Sequence, residues 1–351
     1  MIAVLLVAWT HAGQPLARSG LSLPHFGIFG VDIFFVISGF ILSLIVLRST
    51  HTPGIRPSID FVRRRAIRIF PVYWLFALYP IAHHFRVHDG PLYLPAFFLL
   101  PGHQYPDLPS LANFSWTLIF EMFFYLLFGM VLLFTSRRRA VKIIVALLVA
   151  LVAAGTAINI QRPVLIVAMN PMLLEFAMGA LAALVYSRQS PRRWTGSYIA
   201  AFGVGCALVL RTLPQEASFQ WDILTNHGAM MRACTWGFAA ACIVFGTVLA
   251  SPAMQSAAGK LAVLLGNASY STYLLSGFLL LRFSGQISHL APLVHGRTTL
   301  ALLQASLTAL LMALGLAFYL GIEKRLLGAA NRFVPALPAP RKQHTASLVE
   351  V

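Results

Sequence analysis

Residues 27–47 have the sequence GIFGVDIFFVISGFILSLIVL, and this stretch decides the fold class. It carries one ionisable side chain, Asp32, and it is long enough to cross a bilayer core of about 30 Å as a helix. The whole chain is similarly apolar, since 58% of its 351 residues are hydrophobic, 10% are charged and the mean hydropathy is +0.78. A soluble domain has about 25% charged residues. The composition therefore excludes a soluble globular protein and predicts an all-α polytopic membrane protein.

Ten apolar segments predict about ten transmembrane helices. They are residues 1–17, 27–47, 66–85, 112–135, 140–160, 163–187, 196–212, 229–250, 261–283 and 299–322. The apolar piece between Pro91 and Pro101 is too short to span a bilayer, so it is predicted to be interfacial or re-entrant. Residues 1–333 form one predicted transmembrane domain. Residues 334–351, with prolines and a polar end, are predicted to be a disordered cytoplasmic tail.

The basic residues predict the orientation of the chain. If the loops alternate between the two sides, 19 of the 26 Lys and Arg residues fall on one side. The positive-inside rule then places both termini in the cytoplasm, as expected for a multi-pass protein of a bacterial-type inner (plasma) membrane surrounded by its lipids. The net charge of +16 could suggest nucleic acid. Because the charges form short clusters between apolar stretches, no nucleic-acid partner is predicted.

Cysteine and histidine spacing gives no sign of a metal site. Cys206, Cys234 and Cys242 lie in apolar stretches and are predicted to be small buried side chains without disulfides. A second group could in principle bind a metal at the end of a helix but lacks the compact ligand set of a zinc site. It comprises His83, His84, His88 and Asp89. No metal is predicted.

Ionisable groups inside a bilayer are costly and are functional candidates for that reason. His11 lies about 15 Å along the first helix, near mid-bilayer, where a neutral imidazole could act as a general base. The alternative is a histidine that packs helices by donating to a backbone carbonyl. Glu121 has apolar neighbours in sequence, so its carboxyl group needs a partner in the bundle or a proton. Asp32 is a further candidate, as are Arg68 and Arg232, and nothing assigns a role to Glu175.

A basic cluster enters the third predicted span. Arg65 and Arg68 are three residues apart and share one helix face, which suits a phosphate or a buried carboxylate. The alternative is an anchor of the positive-inside type, which Arg63 and Arg64 provide alone. Arg68 lies deeper than such an anchor needs to lie.

Four motifs in this order resemble the acyltransferase 3 family, ten-helix membrane proteins that O-acylate extracytoplasmic carbohydrates. They are Ala3–Ala12 ending near His11, GVDIFFVISGF at 30–40, FVRRRAIRIFPVY at 61–73 and Trp116–Tyr125. Residues 266–274 and Glu323 agree more loosely. The late motif of the family usually continues to a histidine, whereas this chain has Ser276, so Ser276 is predicted not to be catalytic and Ser276→Ala to keep most activity.

The resemblance implies an O-acyltransferase that uses cytoplasmic acyl-CoA, with acetyl-CoA as the expected donor. The arginines from Arg63 to Arg68 would bind the donor phosphates. His11 would act as a general base or as a transient acyl acceptor, and Glu121 would orient or charge its imidazole. Trp116 and Tyr125 would support the site. The acceptor would be a hydroxyl of a polysaccharide or of a lipid-linked sugar.

Asp32 is predicted either to support the site or to pair with Arg68 on the adjoining span and hold the two helices together, and the structural pair is favoured. The family also places a basic residue just before the position of Met1, so the natural chain is expected to begin upstream.

The alternative function is a carrier or flippase for a lipid-linked sugar or a small solute. A carrier favours inverted repeats with broken helices, and the sequence offers no convincing pair.

Overall fold

The computed structural model describes residues 1–21, 23, 27–49, 52–84, 90–101, 116–158, 160, 162–188, 195–212, 226–248 and 256–332. Regular structure within these residues is entirely helical, which confirms the predicted all-α fold. The predicted tail at 334–351 lies outside them.

The helices follow one another along the chain without a separate domain between them. They are α1 (Ile2–Gly13), α2 (Gly27–Arg48), α3 (Ile55–His84), α4 (Gly90–Phe97), α5 (Trp116–Phe134), α6 (Arg137–Thr156), α7 (Pro163–Ala168), α8 (Leu173–Tyr186), α9 (Thr195–Thr212), α10 (Asn226–Arg232, a π-helical turn Ala233–Gly237, then Phe238–Thr247), α11 (Ala257–Asn267), α12 (Ser269–Ser288) and α13 (Arg297–Phe318, a π-helical turn Tyr319–Glu323, then Lys324–Asn331). Short 3-10 helices cover Gln14–Ser19 and Ala291–Leu293.

The predicted spans coincide with these helices. In the described part of the chain, seven helices are long and apolar enough to cross a membrane, and a bent pair makes eight. The first predicted span is a shorter apolar helix, and the third is α3, which has 30 residues and carries the basic cluster in its first half. The piece between Pro91 and Pro101 contains α4, which at eight residues is too short to span, as predicted.

The span predicted at 261–283 is broken, which the sequence did not indicate. The axes of α11 and α12 differ by 56°. The Ala268 carbonyl at the break accepts from the Thr272 amide (2.9 Å) and from the Thr272 hydroxyl (3.0 Å). A threonine hydroxyl that bonds to the carbonyl four residues back often bends a helix, and this hydrogen bond lies in the first turn after the break.

Glycines bring α2 and α8 into backbone contact. A Cβ atom added to Gly39 would lie 2.2 Å from the carbonyl oxygen of Phe176, and one added to Gly179 would lie 2.1 Å from that of Val36. Between these backbones the Phe176 ring stacks on Phe35 at 4.6 Å between centroids. Small residues allow such close packing in membranes, where no hydrophobic force draws helices together. This contact holds the middle of α2 in place.

The cysteine prediction is half correct. All three cysteines are free, but Cys234 is exposed, and Cys206 and Cys242 are half-buried. In a membrane helix an apolar side chain can face lipid as favourably as it faces the bundle, so a soluble protein's rule for burial does not apply.

Candidate active site

His11 lies in the last turn of α1 and contacts α12. Its Nδ1 is 2.8 Å from the hydroxyl oxygen of Ser276, and the imidazole is half-buried. The Ser276 hydroxyl also donates to the Tyr273 carbonyl oxygen at 2.9 Å. Ser276, which is predicted not to be catalytic, therefore contacts His11, the predicted catalytic histidine.

Two hydrogen bonds hold α1 at the two residues before His11. The Thr10 hydroxyl accepts from the Gly27 amide at the start of α2 (2.7 Å), and the Gln304 side-chain amide donates to the Trp9 carbonyl oxygen (2.9 Å). Gln304 is 1% exposed on α13. Within three residues α1 is thus tied to α13, α2 and, through the His11 ring itself, α12.

A cavity of about 80 Å³ lies between α2, α5 and α12. Its wall carries both aromatic rings and polar groups, including Phe34, Ser38, Thr117, Glu121, Tyr270 and Tyr273. The Thr117 hydroxyl and the Tyr273 phenol are 2.8 Å apart and join α5 to α12 across it. Tyr273 thus contributes its phenol to the cavity and its carbonyl to the Ser276 hydrogen bond beside His11.

Glu121 faces this cavity and makes its contacts away from His11. The Tyr125 phenol one turn along α5 donates to its carboxylate, and the Ser38 hydroxyl of α2 donates to it at 3.0 Å. No hydrogen bond joins Glu121 to His11. The described contact at His11 Nδ1 is with Ser276, and the hydrogen bonds of Glu121 are with Ser38 and Tyr125. The roles of Glu121 and Tyr125 in the site stay predictions.

The basic cluster of α3 lies near Glu121. Arg65 and Arg68 are within electrostatic reach of the Glu121 carboxylate, and the side chains of Arg63 and Arg64 are half-buried on the same helix. The predicted fork of Arg65 and Arg68 thus exists on one helix next to the cavity.

Arg68 also has a structural partner that the sequence did not predict. Its Nη1 lies 3.1 Å from a carboxylate oxygen of Glu323, which is buried in the π-helical turn of α13. The Ser271 hydroxyl donates to the same carboxylate, and the Tyr270 phenol donates to the Ile69 carbonyl oxygen at 2.8 Å. Since the Arg68 side chain is 41% exposed, part of the guanidinium remains accessible.

Trp116 shapes the cavity through its neighbours rather than by a polar contact. Its half-buried indole meets the ring of Phe35 edge-on at 6.4 Å, and that of Phe120 at 6.1 Å. Phe35 forms part of the cavity wall. Trp116 therefore limits where Phe35 can move.

The predicted partner of Asp32 is wrong. Asp32 pairs with Arg232, whose Nε and Nη2 each lie 2.9 Å from one carboxylate oxygen, and Nη2 also donates to the Ile28 carbonyl oxygen at 3.0 Å. Both side chains are fully buried. The correction has a topological cause: α2 packs against α1, α8 and α10, whereas α3 packs against α5, α12 and the end of α13. Although α2 and α3 follow one another in sequence, they do not pack side by side.

Glu175 belongs to the same buried cluster. It is completely buried on α8, and it interacts electrostatically with Asp32 and Arg232. Its side chain lies over Gly237, where an added Cβ would be 2.7 Å from the Glu175 Cγ. One guanidinium thus stands beside two carboxyl groups in a closed, apolar part of the bundle. The cluster joins α2, α8 and α10, which is a structural role that the sequence did not assign to Glu175.

Sequence reasoning included Arg232 among the ionisable candidates without naming its partner, and it left out Gln304, although Gln304 interrupts a long apolar stretch and a buried polar side chain needs a partner. Ser276 was named, but its contact with His11 gave no signal, because a serine in a membrane helix commonly bonds to its own backbone. Among the described residues no group of His, Cys, Asp and Glu is arranged to hold a metal ion. The side chains of the His83 to Asp89 group lie outside that part.

Comparison with known proteins identifies the class. Residues 1–322 match the acyltransferase 3 family, which is described as an acyltransferase domain, and the chain belongs to this family. It is a multi-pass membrane acyltransferase. Family membership favours an enzyme over the carrier that the sequence left open.

Two named proteins are similar to this chain over half of its length or more. The chain is 30% identical to the exopolysaccharide production protein ExoZ of Rhizobium meliloti (strain 1021), over 89% of this chain and 95% of that protein. It is 28% identical to Nodulation protein 10 of Rhizobium leguminosarum bv. viciae, over 52% of this chain and 55% of that protein. No solved structure matches the chain.

Proposed function

We propose that this protein transfers an acyl group, in the first instance acetyl, from cytoplasmic acyl-CoA to a hydroxyl of an exported or cell-surface carbohydrate. Family membership supports the acyl transfer. The relative named for exopolysaccharide production, aligned over nearly its whole length, supports a carbohydrate acceptor. The acceptor would be a polysaccharide or a lipid-linked sugar.

The observation that carries the proposal is a polar path through an otherwise apolar bundle. His11 contacts Ser276, Tyr273 connects Ser276 to the cavity that Glu121 lines, and Arg65 and Arg68 of α3 are within electrostatic reach of Glu121. A polar path of this kind is costly in a membrane protein, so it is retained where a substrate needs it. A donor and an acceptor on opposite sides of a membrane require such a path.

The donor end is assigned to the arginines. Guanidinium groups bind phosphate oxygens with two parallel hydrogen bonds, and Arg63, Arg64, Arg65 and Arg68 supply four such groups within two turns of α3. The positive-inside rule assigns this end, and both termini, to the cytoplasm of the inner membrane. The cavity beyond it is about 80 Å³, room for a few water molecules or a short acyl group. This size favours acetyl over a long acyl chain.

The acceptor end is assigned to His11. Its imidazole takes the proton of the acceptor hydroxyl as the oxygen attacks the thioester carbonyl, the carbon–sulfur bond then breaks, and the departing thiolate receives that proton. The reaction consumes no other proton and needs no redox partner. Glu121, held by Tyr125 and Ser38, stabilises the positive charge that develops on the imidazole across the cavity.

Transfer of label from acetyl-CoA to carbohydrate in inside-out membrane vesicles tests the proposal. We expect His11→Ala to abolish transfer, because a general base contributes about 10²–10⁴-fold to a rate. His295→Ala is the matched control, since His295 is exposed in the described part of the chain and distant in sequence. Full transfer by His11→Ala would contradict the proposal. Transfer of succinyl but not acetyl would correct the donor alone.

Fusions at the carboxyl terminus test the proposed orientation. We expect a fluorescent fusion to be bright and a phosphatase fusion to be inactive, because the positive side of the chain faces the cytoplasm. An active phosphatase fusion would reverse the orientation and, with it, the side from which the donor binds.

A further inference from the structure

Ser276 has two hydrogen-bond partners and little freedom to exchange them. It is 1% exposed on α12, its oxygen lies 2.8 Å from His11 Nδ1, and it donates to the Tyr273 carbonyl oxygen at 2.9 Å. A hydroxyl group has one proton to donate and can accept with its lone pairs. The carbonyl can only accept. Once the hydroxyl proton points to Tyr273, the oxygen can only accept from His11.

This count of protons selects one tautomer of His11. A neutral imidazole carries a proton on one ring nitrogen and a lone pair on the other. For a hydrogen bond at Nδ1 that Ser276 accepts, the proton must be on Nδ1. Nε2 then carries the lone pair, which is the form that a base requires. Which nitrogen is protonated is commonly decided by the hydrogen bond of the other one.

The opposite tautomer costs a hydrogen bond. With the proton on Nε2, the Ser276 hydroxyl would have to turn to Nδ1 and give up the Tyr273 carbonyl. The helix that carries the ring is held in place, because hydrogen bonds at Trp9 and Thr10, the two residues before His11, tie α1 to α13 and α2. In an apolar interior, a lost hydrogen bond is not replaced by water.

We propose that Ser276 is a positioning residue that holds His11 in the Nδ1-protonated tautomer and presents Nε2 as the base for acyl transfer. This rests on the proposed function of His11. In the step itself, Nε2 gains the proton of the acceptor hydroxyl and returns it to the thiolate, while the Nδ1 proton stays with Ser276. The His11–Ser276 bond becomes charge-assisted as the imidazolium forms, so it is stronger in the transition state than before.

Nitrogen NMR of the full-length protein, labelled with 15N-histidine in lipid nanodiscs, tests the tautomer directly. His11→Gln assigns the His11 signals by their loss. We expect a protonated Nδ1 and an unprotonated Nε2 in the unmodified protein. In Ser276→Ala we expect a mixture of the two tautomers, and Ser276→Thr, which keeps the hydroxyl, should restore the single form.

Kinetics test the consequence for catalysis. We expect Ser276→Ala to lower kcat about tenfold with an unchanged KM for the donor, because the lost hydrogen bond matters most in the transition state. This replaces the expectation, based on the resemblance, that the variant keeps most activity. Ser288→Ala is the matched control, since Ser288 on the same helix also bonds to the carbonyl three residues back.

The outcomes separate this inference from the function on which it rests. A protonated Nε2 in the unmodified protein, or a Ser276→Ala variant with unchanged tautomer and kcat, would overturn the role of Ser276 and leave acyl transfer by His11 in place. Full transfer by His11→Ala would overturn both. A tautomer mixture together with a lower kcat, and rescue of both by Ser276→Thr, would support the inference.

Discussion

Two polar clusters adjoin the first turns of α2, and they differ in charge and in burial. The Asp32–Arg232 pair is fully buried and bidentate, and Arg232 also donates to the α2 backbone. In the other cluster, the half-buried imidazole of His11 contacts the buried hydroxyl of Ser276 through Nδ1. A closed, charged pair suits the joining of helices. A histidine with one ring nitrogen engaged suits chemistry.

The largest expected effect concerns the stability of the closed cluster. Arg232→Gln should lower the free energy of unfolding by about 3–5 kcal/mol, because it leaves the buried Asp32 carboxylate without its partner. Asp32→Asn should cost a similar amount, because Glu175 lies near Arg232 but its carboxyl oxygens make no hydrogen bond with a described residue. The double variant Asp32→Leu/Arg232→Met, apolar and similar in volume, should recover most of this loss. Thermal unfolding in detergent measures all three, with His11→Ala as the contrast that keeps the melting temperature.

A small stability loss in both single variants would contradict the structural assignment of the closed cluster. A double variant that unfolds as easily as the singles would also count against it, since the penalty would then not come from an unpaired charge.

The next effect should fall on turnover and leave stability unchanged. Glu121→Gln keeps the shape and the hydrogen bonds from Tyr125 and Ser38 but removes the charge, so we expect kcat to fall about 10–100-fold. Label transfer and thermal unfolding are measured on the same samples. A lower melting temperature with unchanged kcat would place Glu121 with the structural cluster instead. Tyr125→Phe should give a smaller fall in kcat, since Ser38 still donates.

A third effect separates two roles of Arg68. If Arg68 binds donor phosphate, Arg68→Ala should raise the KM for the donor about tenfold with little change in kcat, whereas Glu323→Gln should not. If Arg68 serves only the ion pair with Glu323, the two variants should behave alike. Steady-state kinetics with acetyl-CoA decide between them. Arg56→Ala, an exposed position at the start of α3, is the control.

The smallest expected effect is that of Glu175→Gln. One guanidinium cannot balance two buried carboxylates, so removing the charge of Glu175 should change the free energy of unfolding by less than about 1 kcal/mol. The melting temperature of Glu175→Gln beside that of Asp32→Asn checks this. Equal losses in the two variants would show that Arg232 depends on both carboxyl groups.

The placement of α1 explains why the site residues were only partly foreseen. His11 and Glu121 stood out because an ionisable group in an apolar helix is costly wherever the helix packs. Which side chains each of the two would contact could not be foreseen, because those contacts depend on how the helices pack. Ser276 reaches His11 because α12 is tilted by 56° at Ala268 and α1 is tied to α13 by Gln304.

The ion pairs also show that the order of the spans in sequence does not predict which helices pack together. The sequence supplied both anions and both cations in apolar segments but paired Asp32 with Arg68, on the assumption that consecutive spans lie side by side. In the bundle, Asp32 meets Arg232, 200 residues away in sequence, and Arg68 meets Glu323. A charge in an apolar helix indicates that a partner exists. Which helix provides it depends on packing.

The sequence by itself determined the all-α membrane class, the number and limits of most spans, the family motifs and the list of costly polar residues. These follow from local properties, namely the length of apolar runs and the free energy of placing a charge in lipid. Only the tertiary structure decided that α11 and α12 are bent, that Asp32 belongs with Arg232 and Glu175, and that Ser276 holds His11. Those facts depend on small side chains and backbone carbonyls that let particular helices approach, and such contacts leave no periodic signal along the chain.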